Sequence, residues 1–179
     1  MNKVGNWMAK LIIFRGKSAT GKTVLSSKVS EKLNIFVVRK DDIFDPLSLT
    51  VTDNSLNNKI CYDIMVNLVQ QNLDSNIDVI LDVSLANTDY YNFFLSRFYL
   101  SSHILISFLC GCLDENIWKN RWKERLKNPS PNQLFASIDD MVKHYNKMNI
   151  ELLDYENYIE SCDDIEKNVE KAISIILQK

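Results

Sequence analysis

The sequence predicts an α/β fold, a parallel sheet sandwiched between helices, on three observations. Short continuous apolar runs recur along the chain, helical patterns separate them, and the first run feeds a glycine-containing loop that opens a helix. Hydrophobic residues make up 46% and charged residues 25%, with only 4 Gly and 3 Pro, which excludes a disordered, collagen-like or low-complexity chain. A length of 179 residues gives room for a full core in one domain, and no repeat or linker divides it.

Residues 11–14, Leu-Ile-Ile-Phe, end at Arg15-Gly16 and read as a strand buried on both faces. From Thr23 the pattern turns helical, with Val24, Val29 and Leu33 apolar, and Asn34 closes the segment. Residues 35–38 form the second strand, with Arg39-Lys-Asp-Asp42 directly beyond it. Residues 44–58 contain Pro46 and little pattern, so a loop or short helix is expected there, followed by a helix over 59–73. The third strand covers 77–83 and runs into Asp82; an aromatic-rich helix follows over 88–99. Residues 104–109 are the fourth strand, 114–127 a helix ended by Asn128-Pro-Ser-Pro131, and 139–148 another helix. A short fifth strand is expected at 151–153, and 163–177 is the closing helix.

Gly16-Lys-Ser-Ala-Thr-Gly-Lys-Thr23 meets G-x-x-x-x-G-K-[ST] at every fixed place, between a buried strand and a helix. Backbone N–H groups of such a loop make a concave nest for phosphate oxygens, helped by the helix N-terminus. Gly16 and Gly21 permit the turn; Lys22 is placed for the β- and γ-phosphates and Thr23 for Mg²⁺. Lys17, Ser18, Ala19 and Thr20 complete the loop at its variable positions. Asp82, ending the third strand at the same sheet edge, is the second candidate metal residue. ATP and Mg²⁺ are the expected cofactors.

A kinase acting on an alcohol needs a carboxylate near the acceptor hydroxyl. Asp41, the first carboxylate after the second strand, is the candidate base; Asp42 comes next and, with Arg39, is a candidate substrate-binding residue, and Asp45 ranks third. Arg121 and Arg125 lie four apart on one helix face before the proline-containing segment, suited to clamping phosphoryl oxygens. Tyr90, Tyr91, Phe93, Phe94, Phe98 and Tyr99 read mostly as core, with Phe94 or Tyr91 open to lining an acceptor pocket. Trp118 and Trp122, also four apart, are expected to pack their helix against the body. His103 and His144 are too few and too distant for a metal cluster.

The sequence resembles the P-loop small-molecule kinases of the zeta-toxin, polynucleotide-kinase and chloramphenicol-phosphotransferase type. The resemblance rests on the 16–23 loop, Lys40-Asp-Asp42, Val79-Ile-Leu-Asp82, and Cys112-Leu-Asp-Glu115 followed by Arg121 and Arg125. It implies a three-layer α/β/α fold with five parallel strands in the order 2-3-1-4-5, and a helical lid over about 114–135 of one domain, 1–179. It also implies that Asp41 is the base and that the lid arginines touch ATP phosphates. The sequence departs from many relatives in carrying Lys40, where they have Ser or Thr, before Asp41.

The expected activity is therefore ATP-dependent transfer of the γ-phosphoryl to a small-molecule hydroxyl. A polynucleotide 5′-hydroxyl kinase, a nucleotide kinase and a nucleotide-binding regulatory ATPase are the alternatives. The formal charge of -2 argues against nucleic acid as partner. No membrane span or secretory pattern is legible, so a soluble cytoplasmic protein is expected, and the oligomeric state is left open. The four cysteines, with no CxxC, are expected to be reduced and mostly structural.

Overall fold

The computed structural model describes residues 8–179, so the N-terminal reading lies, over residues 1–7, outside the described residues. Twelve elements follow in the order β1 (Lys10–Arg15), α1 (Lys22–Leu33), β2 (Phe36–Arg39), α2 (Lys40–Ser48), α3 (Asn54–Asp74), β3 (Val79–Asp82), α4 (Thr88–Leu95), β4 (Ile104–Gly111), α5 (Glu115–Lys127), α6 (Ile138–Asn146), β5 (Glu156–Glu160) and α7 (Ile165–Gln178). The five strands make one parallel sheet in the order β2-β3-β1-β4-β5, as expected.

Alternation along β1 explains both layers of helices. Leu11 and Ile13 enter one core with Met65, Val69 and Leu73 of α3 and Tyr91 and Phe94 of α4. Ile12 and Phe14 enter the opposite core with Leu25 and Val29 of α1 and Val169, Ala172 and Ile176 of α7. A strand buried on both faces must be apolar throughout, which is why Leu11–Phe14 reads as a continuous run. A third cluster, Trp118, Trp122, Met141 and Tyr145 with Ala86, seats α5 and α6 beyond the carboxyl ends of the strands.

Local signals set the helix ends. Asp53 caps α3 by accepting from the amides of Ser55 and Leu56 at 2.8 and 3.1 Å. Asn34 ends α1 in the left-handed region, φ 54°, a conformation that Asn tolerates better than most residues. Directly beyond β2, α2 starts at Lys40, with Asp41 and Asp42 in its first turn, where carboxylates meet the positive end of the helix dipole.

The fifth strand is not at 151–153 but at Glu156–Glu160. Charged residues disguise it. Glu156 is buried against Arg15, the last residue of β1, in a bidentate pair with Nε–Oε1 at 2.6 Å. The other guanidinium protons go to the carbonyls of Leu85, Ala86 and Glu151, and the ring of Tyr91 lies 4.4 Å from Arg15 Cζ. Ser107 Oγ and the Leu153 amide donate to the same carboxylate, so both buried charges are hydrogen-bonded throughout.

Two further expectations change. Of the six aromatics around α4, Tyr91, Phe94 and Phe98 are buried, while Tyr90, Phe93 and Tyr99 are exposed, because α4 stops at Leu95 and offers the core only one face. Cys112 and Cys162 are not free thiols. They form a disulfide with a Cα–Cα distance of 5.7 Å, because the parallel pairing of β4 with β5 sets the loops after both strands side by side. Cys61 and Cys110 remain free and buried, as expected of structural thiols. Glu160 lies close to both bridged sulfurs, but its carboxylate accepts from the Leu113 and Cys162 amides and the Tyr158 hydroxyl.

Candidate functional site

The loop from β1 to α1 owes its path to its two glycines. Gly16 has φ 141°, and a Cβ there would fall onto the Cys110 carbonyl of β4. Gly21, at φ 77°, occupies the residue before α1. Ala19 takes φ 63°, a left-handed conformation that costs an L-residue about 1 kcal/mol or more. Inside the turn, Thr20 Oγ1 and Lys22 Nζ both donate to the Lys17 carbonyl, at 2.8 and 2.7 Å. Burial pushes the Lys22 ammonium below its ordinary pKa, with the Asp82 carboxylate opposing that shift. An ammonium buried with only a carbonyl for a partner is suited to exchange it for an anionic oxygen.

The loop is also held from outside, by residues that carry no sequence signal of the role. Trp118 of α5 donates its indole N–H to the Ser18 carbonyl at 2.8 Å. Tyr145 of α6 accepts from the Ser18 amide and donates to Ser18 Oγ. The Lys17 ammonium lies 4.7 Å from the Trp118 ring and 5.8 Å from the Tyr145 ring. Thus Trp118 packs as expected and also fixes the loop, while Trp122 remains a packing residue with its indole nitrogen unpartnered.

A cavity of about 250 Å³ opens at the carboxyl end of the sheet, bounded by Gly21, Lys22 and Thr23 on one side and Asp41, Asp82 and Arg125 on the others. Ala19, Arg39, Lys40 and Asp42 also line it. Asp82 is 6% exposed, ends β3 and accepts from Ser26 Oγ at 3.1 Å, so its hydrogen bond goes one helical turn past Thr23. Arg39 sits between carboxylates, 3.6 Å from Asp42 and 3.9 Å from Asp82, and donates to Ser27 Oγ at 2.8 Å. Its Nε is buried without a hydrogen-bond partner. These contacts make Arg39 a clamp on the site's own acids, and they leave Asp42 exposed and paired.

Asp41 differs from Asp42 in what holds it. Its Oδ1 accepts from Asn132 Nδ2 at 2.6 Å, and Asn132 Oδ1 accepts from Lys40 Nζ at 2.8 Å. Burial lowers the Lys40 pKa, with Asp41 opposing. Burial also raises the Asp45 pKa, helped by the charges of Asp41 and Asp42, and Asp45 stays off the cavity wall with its Oδ1 unpartnered.

Arg121 and Arg125 both border a second cavity, of about 400 Å³, with Gly21, Val24 and Ser161. Arg121 bonds the Ser161 hydroxyl at 2.9 Å and the Ser161 carbonyl at 2.7 Å. Arg125 donates to Ser130 Oγ at 3.1 Å and alone of the two lines both cavities. The two spaces therefore meet at the phosphate loop. A third cavity, of about 630 Å³ between α3 and α4, includes Tyr62, Phe94 and Arg97, while Tyr91 instead donates its hydroxyl to Ser107.

The donor set suits a hard cation: the Thr23 hydroxyl and Asp82 carboxylate offer oxygen ligands at one cavity, with neither sulfur nor imidazole on its wall. The loop glycines and the buried, carbonyl-bound Lys22 likewise suit a nucleotide phosphate chain.

A family model described as an AAA domain matches residues 11–148. No curated protein matches the sequence. Among solved structures, a candidate kinase from Chloroflexus aurantiacus aligns over 93% of this chain and 98% of its own, with a TM-score of 0.76 and 17% identity. A sugar kinase from Janibacter sp. aligns over 94% of each chain, with a TM-score of 0.68 and 13% identity. A gluconokinase from Sinorhizobium meliloti aligns over 96% of this chain and 93% of its own, with a TM-score of 0.63 and 11% identity. At such identities the likeness is one of fold: three layers, with five parallel strands in the shared order.

Proposed function

The chain belongs to the AAA domain family, and from that footing we propose that it is an ATP-dependent kinase transferring the γ-phosphoryl to a hydroxyl of a small molecule. One observation carries the reading: Lys22 and Thr23 of the phosphate loop, the candidate base Asp41 and Arg125 line one cavity. The neighbouring kinases in fold point the same way, two of them named for sugars or their acids.

In this reading Gly16, Lys17, Ser18, Ala19, Thr20 and Gly21 form the phosphate cradle, and Lys22 and Arg125 hold the oxygens of the moving phosphoryl group. Asp41 takes the acceptor proton as its oxygen attacks phosphorus and the bond to the ADP oxygen breaks. Asp41 is preferred to Asp42 because Asp42 is exposed and tied to Arg39. Arg39 thereby becomes a positioning residue for the acids. Arg121 shapes the second cavity, sized for the nucleoside end of ATP, through its grip on Ser161. Thr23 and Asp82 would hold Mg²⁺, which when bound neutralises charge on the phosphate oxygens. Residues 1–179 act as one kinase domain, with a lid from 114 to about 135 that excludes water from the transfer. The finer kinship with zeta-toxin-type kinases belongs to this reading too, resting on the lid arginines and the acid after β2.

The test is ADP release from Mg·ATP across sugars, hydroxy acids, nucleosides, antibiotics and an oligonucleotide 5′-end. One small-molecule class is expected to stimulate turnover, and Asp41→Asn is expected to lower it by roughly 10²–10⁴-fold. Turnover equal in Asp41→Asn removes Asp41 as base. Stimulation by the oligonucleotide alone would replace the small molecule with a polynucleotide, and acceptor-independent hydrolysis alone would make the protein a regulatory ATPase.

A further inference from the structure

The aromatic residues of α4 are not all used by the core. Phe93 is 71% exposed and Tyr90 67%, and both border the third cavity, whose volume of about 630 Å³ is in the range of small-ligand sites. Two large rings held in water at the mouth of one cavity differ from scattered surface apolar residues, which need no explanation. Tyr62 of α3 and Phe94 of α4 line the same space, with ring centroids 5.3 Å apart and planes inclined at 60°. Arg97 and Asn58 give it a polar edge, and Asp63 holds Arg97 in an ion pair at 2.6 Å. This cavity adjoins the catalytic one at two places. Ser84 lines the cavity of the phosphate loop, and the next residue, Leu85, lines the aromatic one. Lys40, on the catalytic wall beside Asp41, has its ammonium 5.8 Å from the Tyr62 ring centroid. Among the described residues, the aromatic cavity shares no wall residue with the second cavity, the one assigned to the nucleoside end of ATP.

We propose, resting on the kinase reading, that the cavity between α3 and α4 binds the acceptor and that the acceptor is an alcohol carrying a planar ring. The ring enters among Tyr62, Tyr90, Phe93 and Phe94, whose π-faces stack on a flat partner and leave water as it binds. Arg97 and Asn58 receive the polar substituents of that ring. The hydroxyl-bearing end extends past Lys40 and Tyr62 toward Asp41. A saturated sugar or a short hydroxy acid offers no flat face and would leave Phe93 and Tyr90 in water. Nucleosides and aryl glycosides share the required chemistry, a ring joined to a hydroxylated arm.

The test measures calorimetric binding, and ADP release from Mg·ATP, with nucleosides, aryl glycosides, saturated sugars and hydroxy acids. The wild type is compared with Phe93→Ala, Tyr90→Ala and Tyr99→Ala. Phe93 and Tyr90 are exposed, so their truncation leaves the core intact, and Tyr99, 69% exposed and off the cavity wall, controls for the loss of a surface ring. One ring-bearing class is expected to bind and to stimulate turnover, and whether it is the nucleosides or the aryl glycosides names the source. Its Kd and KM are expected to rise about fivefold or more in Phe93→Ala and in Tyr90→Ala, and to stay unchanged in Tyr99→Ala. Better turnover of saturated sugars or hydroxy acids than of any ring-bearing alcohol overturns the inference and leaves the kinase reading standing. Ring-bearing acceptors whose Kd and KM are unmoved in both cavity variants overturn the assignment of this cavity. A ring-bearing alcohol that binds, weakens in Phe93→Ala and never stimulates ADP release overturns the acceptor role together with the kinase reading.

Discussion

Tyr145 and Ser18 exchange two hydrogen bonds across 127 residues of sequence: the Ser18 amide donates to the phenol oxygen at 2.9 Å, and the phenol donates to Ser18 Oγ at 3.0 Å. A helix from the far half of the chain thereby holds a variable position of the phosphate loop. Tyr145→Phe keeps the ring in the aromatic cluster and removes both bonds. At about 0.5–1.5 kcal/mol per bond, the loss of both is expected to lower nucleotide affinity roughly 5- to 150-fold. Titration with an ATP analogue checks this, and an unchanged affinity would make the pair a purely structural contact.

The two loop glycines are expected to differ in their response to alanine. At Gly16 the new Cβ meets the Cys110 carbonyl and φ is 141°, so Gly16→Ala is expected to cost roughly 3 kcal/mol or more. At Gly21 the nearest atom lies 3.9 Å away and φ is 77°, leaving only left-handed backbone strain, roughly 1–2 kcal/mol. Urea unfolding of the two variants ranks them. Equal losses would mean that the Cys110 backbone moves aside.

Removing one charge of the Arg15–Glu156 pair is expected to hurt more than removing both. Glu156→Gln leaves a buried guanidinium without its counter-charge, at a cost of roughly 3–5 kcal/mol. Arg15→Met combined with Glu156→Leu removes that imbalance and is expected to recover part of the loss. Denaturant midpoints of single and double variants decide, and an additive double variant would refute the coupling.

The Cys112–Cys162 bridge closes a loop at a sequence separation of 50. Closing such a loop restricts the unfolded chain and typically contributes about 2–4 kcal/mol. Reduction by dithiothreitol and the Cys112→Ser variant are expected to lower the unfolding midpoint by the same amount, and reducing the variant should add nothing. A wild type insensitive to reductant would show that the bridge contributes nothing to stability.

What the sequence announces and what it conceals follow from how far apart the cooperating residues lie. Leu11–Phe14 and Val79–Leu81 are readable because a strand covered on both faces has no polar position to confuse the pattern. The phosphate loop is readable because its glycines and lysine are needed at fixed spacing within eight residues. Asp41, Asp82, Arg121 and Arg125 are inferred from their places at strand ends or along one helix, and Asp41, Asp82 and Arg125 do meet at one cavity while Arg121 borders the next. By contrast, β5 hides because its first residue is a glutamate whose burial makes sense only beside Arg15, 141 residues away. Asn132, Ser161 and Tyr145 carry no local mark, since each acts through a partner that the tertiary fold supplies. The Cys112–Cys162 bridge depends in the same way on the adjacency of β4 and β5.

The Arg15–Glu156 pair also ties the phosphate loop to a distant stretch of sequence. Arg15 ends the strand that runs straight into that loop, while its carboxylate partner Glu156 and its carbonyl acceptor Glu151 lie 141 and 136 residues further on. Undocking the segment that carries them would strand a cation out of water beside the nucleotide cradle. A loosened β5 is therefore expected to be felt first as a loosened phosphate loop, although none of its residues belongs to the loop.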